Sequence, residues 1–170
     1  NETVEFTNLC MVRDGDRVLV IDRKKKDWPG ITFLVVMSKR EIIERNGAFG
    51  IVVPGVAAAS WVYAVGSVSG RDEDKFNAYG IPVVNGPELG LPLIEEKCLA
   101  WMECRLLPAT AAQEQYDTLF GEVVAAAADE RAFVSGRWQF DDDKLNTIHH
   151  LGTGNFVASG RHVQANTPHN

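Results

Sequence analysis

Hydrophobic and polar positions alternate along much of this chain, and the runs are short. Val4–Val12 alternates and reads as a strand, Asp14-Gly15 is a hairpin-turn signal, and Arg17–Ile21 is the returning strand. Arg23–Gly30 is a charged loop closing on Trp28-Pro29-Gly30, and Ile31–Met37 has the β-branched content of a buried strand. Ser38-x-x-Glu41 has the form of a capping box, which predicts a short helix ending at Gly47. Phe49–Val53 predicts a strand stopped by Pro54, and Val56–Val65 has helical composition. Gly66, Ser67, Ser69 and Gly70 form a small-residue turn, followed by a predicted helix over Arg71–Tyr79 that ends at Gly80. Ile81–Leu93, rich in proline and glycine, predicts an extended connection. Lys97–Leu107 and Leu119–Ala128 predict a long antiparallel hairpin, the first strand long enough to bend in a barrel. Asp129–Asp143 is a polar excursion, Lys144–Asn146 one helical turn and Asn155–Val163 a closing strand. Many strands with a few short helices predict one mainly β domain, a closed antiparallel barrel with helical insertions.

Composition narrows the partners. A chain of 170 residues with 45% hydrophobic and 24% charged positions can bury one core. The formal net charge of −6 argues against nucleic acid and anionic membranes. No apolar run reaches the ~18 residues of a membrane span, and the polar start NETVEFTN lacks a signal peptide's apolar core. Cys10, Cys98 and Cys104 have no metal-ligand spacing and sit in apolar stretches, which predicts free thiols in a reducing cytoplasm. Cys98 and Cys104 are expected on one strand face, six residues or roughly 20 Å apart, too far for a disulfide.

Candidate chemistry concentrates in a few places. In Gly66–Ile81, GSVSGRDEDKFNAYGI, small residues let backbone amides approach an anion, and the predicted helix sets Arg71 and Lys75 on one face. The bland reading is a loop fixed by local salt bridges among Arg71, Asp72 and Asp74. The helix start at Ser38–Arg40 is a natural phosphate site. His149, His150, Gly152 and Gly154 form a glycine-bearing turn, in which the alternative is one histidine satisfied in the core. The chain shows no catalytic triad, GxSxG, HExxH or Walker loop, so no catalytic residue and no metal site is assigned.

Four segments in order resemble the flavin reductase-like, flavoredoxin-type branch of the FMN-binding split barrels. They are LVVMSKREIIERNGAFGIVVP with the SGRDxDKF-like segment, PLIEEKCLAWMECRL, TLFGEVVA and IHHLGTGNFVASG, together spanning about Phe33–Val163. The resemblance implies a split β-barrel, a homodimer, and FMN reduced by NAD(P)H. It brings Ser67, Ser69, Gly70, Arg71 and Lys75 near the flavin or a nicotinamide nucleotide, and His149, His150, Gly152 and Gly154 to the flavin or the substrate mouth. Ser38 and Lys39 would then meet the phosphate. If Phe49 is aligned on the family's Phe, the family's Lys or Arg and Thr become Met37 and Lys39, which loses a hydroxyl and weakens FMN binding there.

The first 33 residues are atypical, and the barrel is expected to be shortened at its N-terminus. Thr7–Phe33 resembles the first hairpin of a Nudix hydrolase, but the glycines and clustered glutamates of a Nudix box do not follow. Pyrophosphohydrolase chemistry needs those carboxylates to hold Mg²⁺. The expected function is hydride transfer from NAD(P)H to bound flavin, with a non-catalytic flavin-binding relative as the alternative. Exposed aromatics (Trp28, Trp61, Tyr63, Trp101 and Trp138) are expected at a dimer interface or stacked on flavin.

Overall fold

The structure, a computed structural model, describes residues 13–14, 17–21, 40–68, 73–108, 111 and 118–164. The expected strands Val4–Val12 and Ile31–Met37, the capping residue Ser38, and Cys10 and Trp28 lie outside them. Strands β1 (Arg13–Asp14) and β2 (Arg17–Ile21) form the first hairpin, in register Asp14 to Arg17. Helix α1 (Arg40–Asn46) stops at Gly47 as predicted. Its φ of +68° suits glycine, and its N–H donates to the Ile43 carbonyl at 2.8 Å. Strand β3 (Ala48–Pro54) follows, then a 3-10 turn (Val56–Ala58) running into helix α2 (Ala59–Ser67).

After α2 come α3 (Lys75–Ala78) and the small hairpin β4 (Val84–Asn85) and β5 (Pro92–Leu93). The long strands β6 (Cys98–Leu107) and β7 (Thr118–Ala128) follow. Two more hairpins complete the described chain: β8 (Phe133–Val134) with β9 (Arg137–Trp138), and β10 (Ile148–Gly152) with β11 (Asn155–Ala158), separated by a 3-10 turn at Asp143–Leu145. The main sheet is antiparallel, ordered β1-β2-β7-β6-β3. Among the described residues no helix is long and apolar enough to cross a membrane.

Two departures from regular pairing shape β6. Glu103 pairs with Ala125 while Cys104 pairs with Val123, so Val124 is an extra residue on β7. Against β3, Ala100 pairs with Val53 and Cys98 with Pro54, which makes Leu99 the extra residue. The long strand therefore bends, as its length predicts. Both faces of β3 and β6 are covered. On one side Val52, Val65, Ile81 and Ile94 pack with Trp61, Phe76 and Trp101. On the other, Ile43, Phe49, Ile51, Cys104 and Leu119 pack with Met102, Leu106 and Val123.

Four expectations need correction. Gly66 and Ser67 are the last residues of α2 rather than a turn. Helix α3 begins at Lys75, with Asp74 extended as its cap, so it does not set Arg71 and Lys75 on one helix face. The Asp74 carboxylate accepts from the Asn77 backbone N–H at 3.3 Å, which is why the helix starts there. Cys98 joins the Val52 cluster and Cys104 the Phe49 cluster, because the extra residue Leu99 breaks the alternation that six-residue spacing assumes. Strand β11 ends at Ala158, short of Val163. Trp61 and Trp101 are half-buried in the core, while Tyr63 and Trp138 are exposed.

The Phe49 cluster depends on a glycine. A Cβ on Gly121 would stand 2.5 Å from Phe49 Cζ and 3.1 Å from Cys104 Cβ, so the phenyl ring lies where a side chain would be. Gly121→Ala is expected to cost about 1–3 kcal/mol in urea unfolding by overpacking. Gly66 on helix α2, where an added Cβ would meet nothing within 4 Å among the described residues, supplies the opposite sign. Gly66→Ala is expected to add about 0.5–1 kcal/mol from helix propensity. A Gly121→Ala chain as stable as the parent would contradict this packing.

Candidate functional site

Helix α2 and the β10–β11 hairpin meet at an aromatic corner. Tyr63 projects from the exposed side of α2, and His150 from β10 lies 6.3 Å from it, ring centroid to ring centroid. Phe156, paired with His150 across the hairpin, brings a third ring to 4.9 Å from the imidazole. His150 is half-buried, whereas the adjacent His149 is exposed on the other face of the strand. The His150 Nε2 accepts the Gly154 N–H at 3.3 Å. That bond requires Nε2 to be unprotonated, so the neutral imidazole carries its proton on Nδ1.

The hairpin tip is strained. Gly152, Thr153 and Gly154 have φ values of +108°, +48° and +77°, three consecutive left-handed residues, one of them β-branched. The Asn155 side chain braces them, its Nδ2 donating to the Gly152 carbonyl at 3.2 Å and the Thr153 hydroxyl at 3.1 Å. Gly154 meets two requirements, because a Cβ there would also press on the Tyr63 ring at 3.3 Å. The tip thus brings a ring, an imidazole N–H and glycine backbone to one exposed corner.

Two other expected site residues turn inward. The Ser67 hydroxyl donates to the Tyr63 carbonyl at 2.7 Å, and the Lys75 ammonium donates to the Val65 carbonyl at 2.5 Å. The Val65 carbonyl lies in the last turn of α2, where a cation also meets the negative end of the helix dipole, whereas the Tyr63 carbonyl is in mid-helix. Burial pushes the Lys75 pKa down. Ser38, Lys39, Ser69, Gly70 and Arg71 lie outside the described residues. The structure therefore brings His150, Gly152 and Gly154 together, sets His149 apart and commits Ser67 and Lys75 to carbonyls of α2.

Three residues were missed as site candidates. Phe156 has only its strand alternation with His150 as a signal. Asn155 follows a turn residue flanked by two glycines, a usual place for a bracing amide. Asn146 has no sequence signal; its buried Oδ1 has no hydrogen-bond partner among the described residues.

Elsewhere, an open groove of about 240 Å³ lies between Glu95, Cys98, Trp101 and Asp129. Its indole N–H is already donated to Glu95 at 3.2 Å. Burial pushes the Cys98 thiol up to about 12, and burial with the Glu103 charge does the same for Cys104. Among the described residues no three His, Cys, Asp or Glu side chains gather as metal ligands.

A family model described as the flavin reductase like domain matches residues 31–144. The chain belongs to the flavin reductase-like family. It is 79% identical over 126 residues to the uncharacterized protein YddH of Escherichia coli K12, covering 74% of this chain and 67% of YddH. A solved FMN-binding domain of a flavin reductases-like enzyme from Shewanella baltica is 31% identical. It superimposes with a TM-score of 0.73 over 88% of this chain and 74% of its own. Flavoredoxin of Desulfovibrio vulgaris, at 21% identity and a TM-score of 0.65, shares the fold over 88% of this chain and 73% of its own. The family fold is the mainly β split barrel with short helical insertions that the sequence predicts.

With pKa values near 12, Cys98 and Cys104 hold almost no thiolate at pH 8. Iodoacetamide is expected to modify both in the native chain on the order of a thousandfold more slowly than free cysteine. Mass mapping of alkylated peptides, with a denatured sample as control, measures this; native labelling at the free-thiol rate would contradict their burial.

Proposed function

We propose that this chain binds FMN at the aromatic corner and works as an NAD(P)H-dependent flavin reductase, as a cytoplasmic homodimer. The observation that carries the reading is the 31% identity, over 88% of the chain, to a domain described as FMN-binding. The chemistry of the corner supports it. A flat, partly apolar ring system suits the faces of Tyr63 and His150, and glycine backbone at the tip allows close approach.

In this reading His150 offers its Nδ1–H to an acceptor, since Nε2 is occupied by Gly154. Tyr63 and Phe156 flank the imidazole, Ser67 donates to the Tyr63 carbonyl itself, and Lys75 holds the last turn of α2. FMN, when bound, supplies the ring that takes a hydride from NAD(P)H and passes the electrons on. One observation favours the alternative of a flavin-binding chain without turnover. Ser67 and Lys75, two candidates for phosphate and nicotinamide contacts, are already committed within the fold.

Titrating the chain into FMN and following flavin fluorescence tests the reading. Quenching that saturates at one FMN per chain is expected. Tyr63→Ala or His150→Ala should each weaken binding by about tenfold, the upper range for loss of a ring contact. NADH oxidation that depends on added FMN then separates the reductase from the non-catalytic binder. A chain that leaves FMN fluorescence unchanged would sink both.

A further inference from the structure

Strand β6 carries a carboxylate with no access to water. Glu103 is 0% exposed, and among the described residues no ammonium or guanidinium pairs with it. Burying a charge without a counter-charge is costly unless hydrogen bonds replace its hydration. Here they come from one turn. The Glu88 N–H donates to Oε2 at 2.8 Å, and the Leu89 and Leu91 N–H groups donate to Oε1, both at 3.1 Å. Three backbone donors converging on one anion make an anion-binding nest.

The turn is shaped around that anion. A Cβ on Gly86 would fall on the Glu103 carboxylate itself, so only glycine fits. Gly90 takes a φ of +66° and closes the turn by donating to the Gly86 carbonyl at 3.2 Å. Gly86 in turn donates to the Leu91 carbonyl at 2.9 Å, which starts the β4–β5 hairpin. The turn then delivers Leu93 and Ile94, 0% and 1% exposed, into the core, with Leu93 Cδ2 resting 3.1 Å from where a Gly50 Cβ would be.

We propose that the 86–91 turn is a carboxylate-binding nest filled from within, and that all three of its amides are held only while a carboxylate occupies it. Glu103 is then a tethered ligand, and the turn without it is a vacant site for small free carboxylates. Three amides and a glycine floor recognise the charge and two oxygens of a carboxylate, not a particular side chain. The role of the filled nest is to fix where Leu93 and Ile94 enter the core. It does not depend on the flavin reading, and its test needs no activity.

Hydrogen exchange at the Glu88, Leu89 and Leu91 amides tests it. In Glu103→Ala these three should exchange about tenfold or more faster than in the parent, while the β6–β7 amides change less. Added sodium acetate should restore their protection, and neither acetamide nor sodium chloride at the same concentration should. Glu103→Gln keeps the shape but turns an NH₂ toward one of the three N–H groups. It should lose protection at the donors facing its nitrogen while keeping it at those on its oxygen. Parent-like protection of all three amides in either variant would overturn the proposal, as would equal restoration by acetamide. If Glu103→Ala folds only with acetate present, that supports the proposal; the Gln variant decides it if Ala does not fold at all.

Discussion

Strand β6 has to be buried on both faces at once, and the remaining architecture answers that demand. Glu103 and Cys104 are neighbours in sequence, point to opposite sides and are each 0% exposed. One side receives the apolar cluster around Phe49, Ile43 and Leu119. The other receives the 86–91 turn at Glu103 and, further along, the residues of α2 and α3 that pack with Val52 and Trp101. A charged residue on a doubly covered strand is tolerable only with its hydrogen bonds supplied, so the covering turn brings amides rather than methyl groups.

The aromatic corner is built from what that arrangement leaves over. Helix α2 buries Val65 against the sheet, which turns Tyr63 outward. The Gly55–Thr147 bridge and the Val56 N–H, donated to the Asn146 carbonyl at 3.1 Å, tie the start of that helix to the strand leading to His150. Tyr63 and His150 thus meet because their two elements share an anchor. The strained tip beyond it, with Thr153 at a φ of +48°, persists because Asn155 and His150 hold it. Strain of this kind is more often kept at sites that bind something than in passive loops.

The sequence made the regular elements legible. The β6–β7 hairpin, β3 and the stop of α1 at Gly47 follow from β-branched runs, alternation and a glycine at a helix end, all local signals. The end of α2 was misread because Gly66 and Ser67 look like a turn. Ser67 instead continues the helix and turns its hydroxyl back onto the carbonyl four residues earlier. The start of α3 had a readable signal in Asp74, an N-cap residue three before Asn77. Long-range features left no local trace. Glu103 reads as one more strand residue until the 86–91 turn lies over it, and Tyr63 becomes a partner of His150 only through the fold. The tip of the β10–β11 hairpin was legible as a glycine-bearing turn after histidines. Lys75 was legible as a cation, but its target is a helix carbonyl.

FMN is proposed to meet this chain at the corner between α2 and the β10–β11 tip. Titration of FMN into the isotope-labelled chain, followed by amide chemical shifts, tests it most directly. The largest shifts are expected at Tyr63, His150, Gly152 and Gly154, with Glu88, Leu89 and Leu91 unmoved in their nest. Saturable shifts that leave the corner untouched, or no saturable shifts at all, would contradict it.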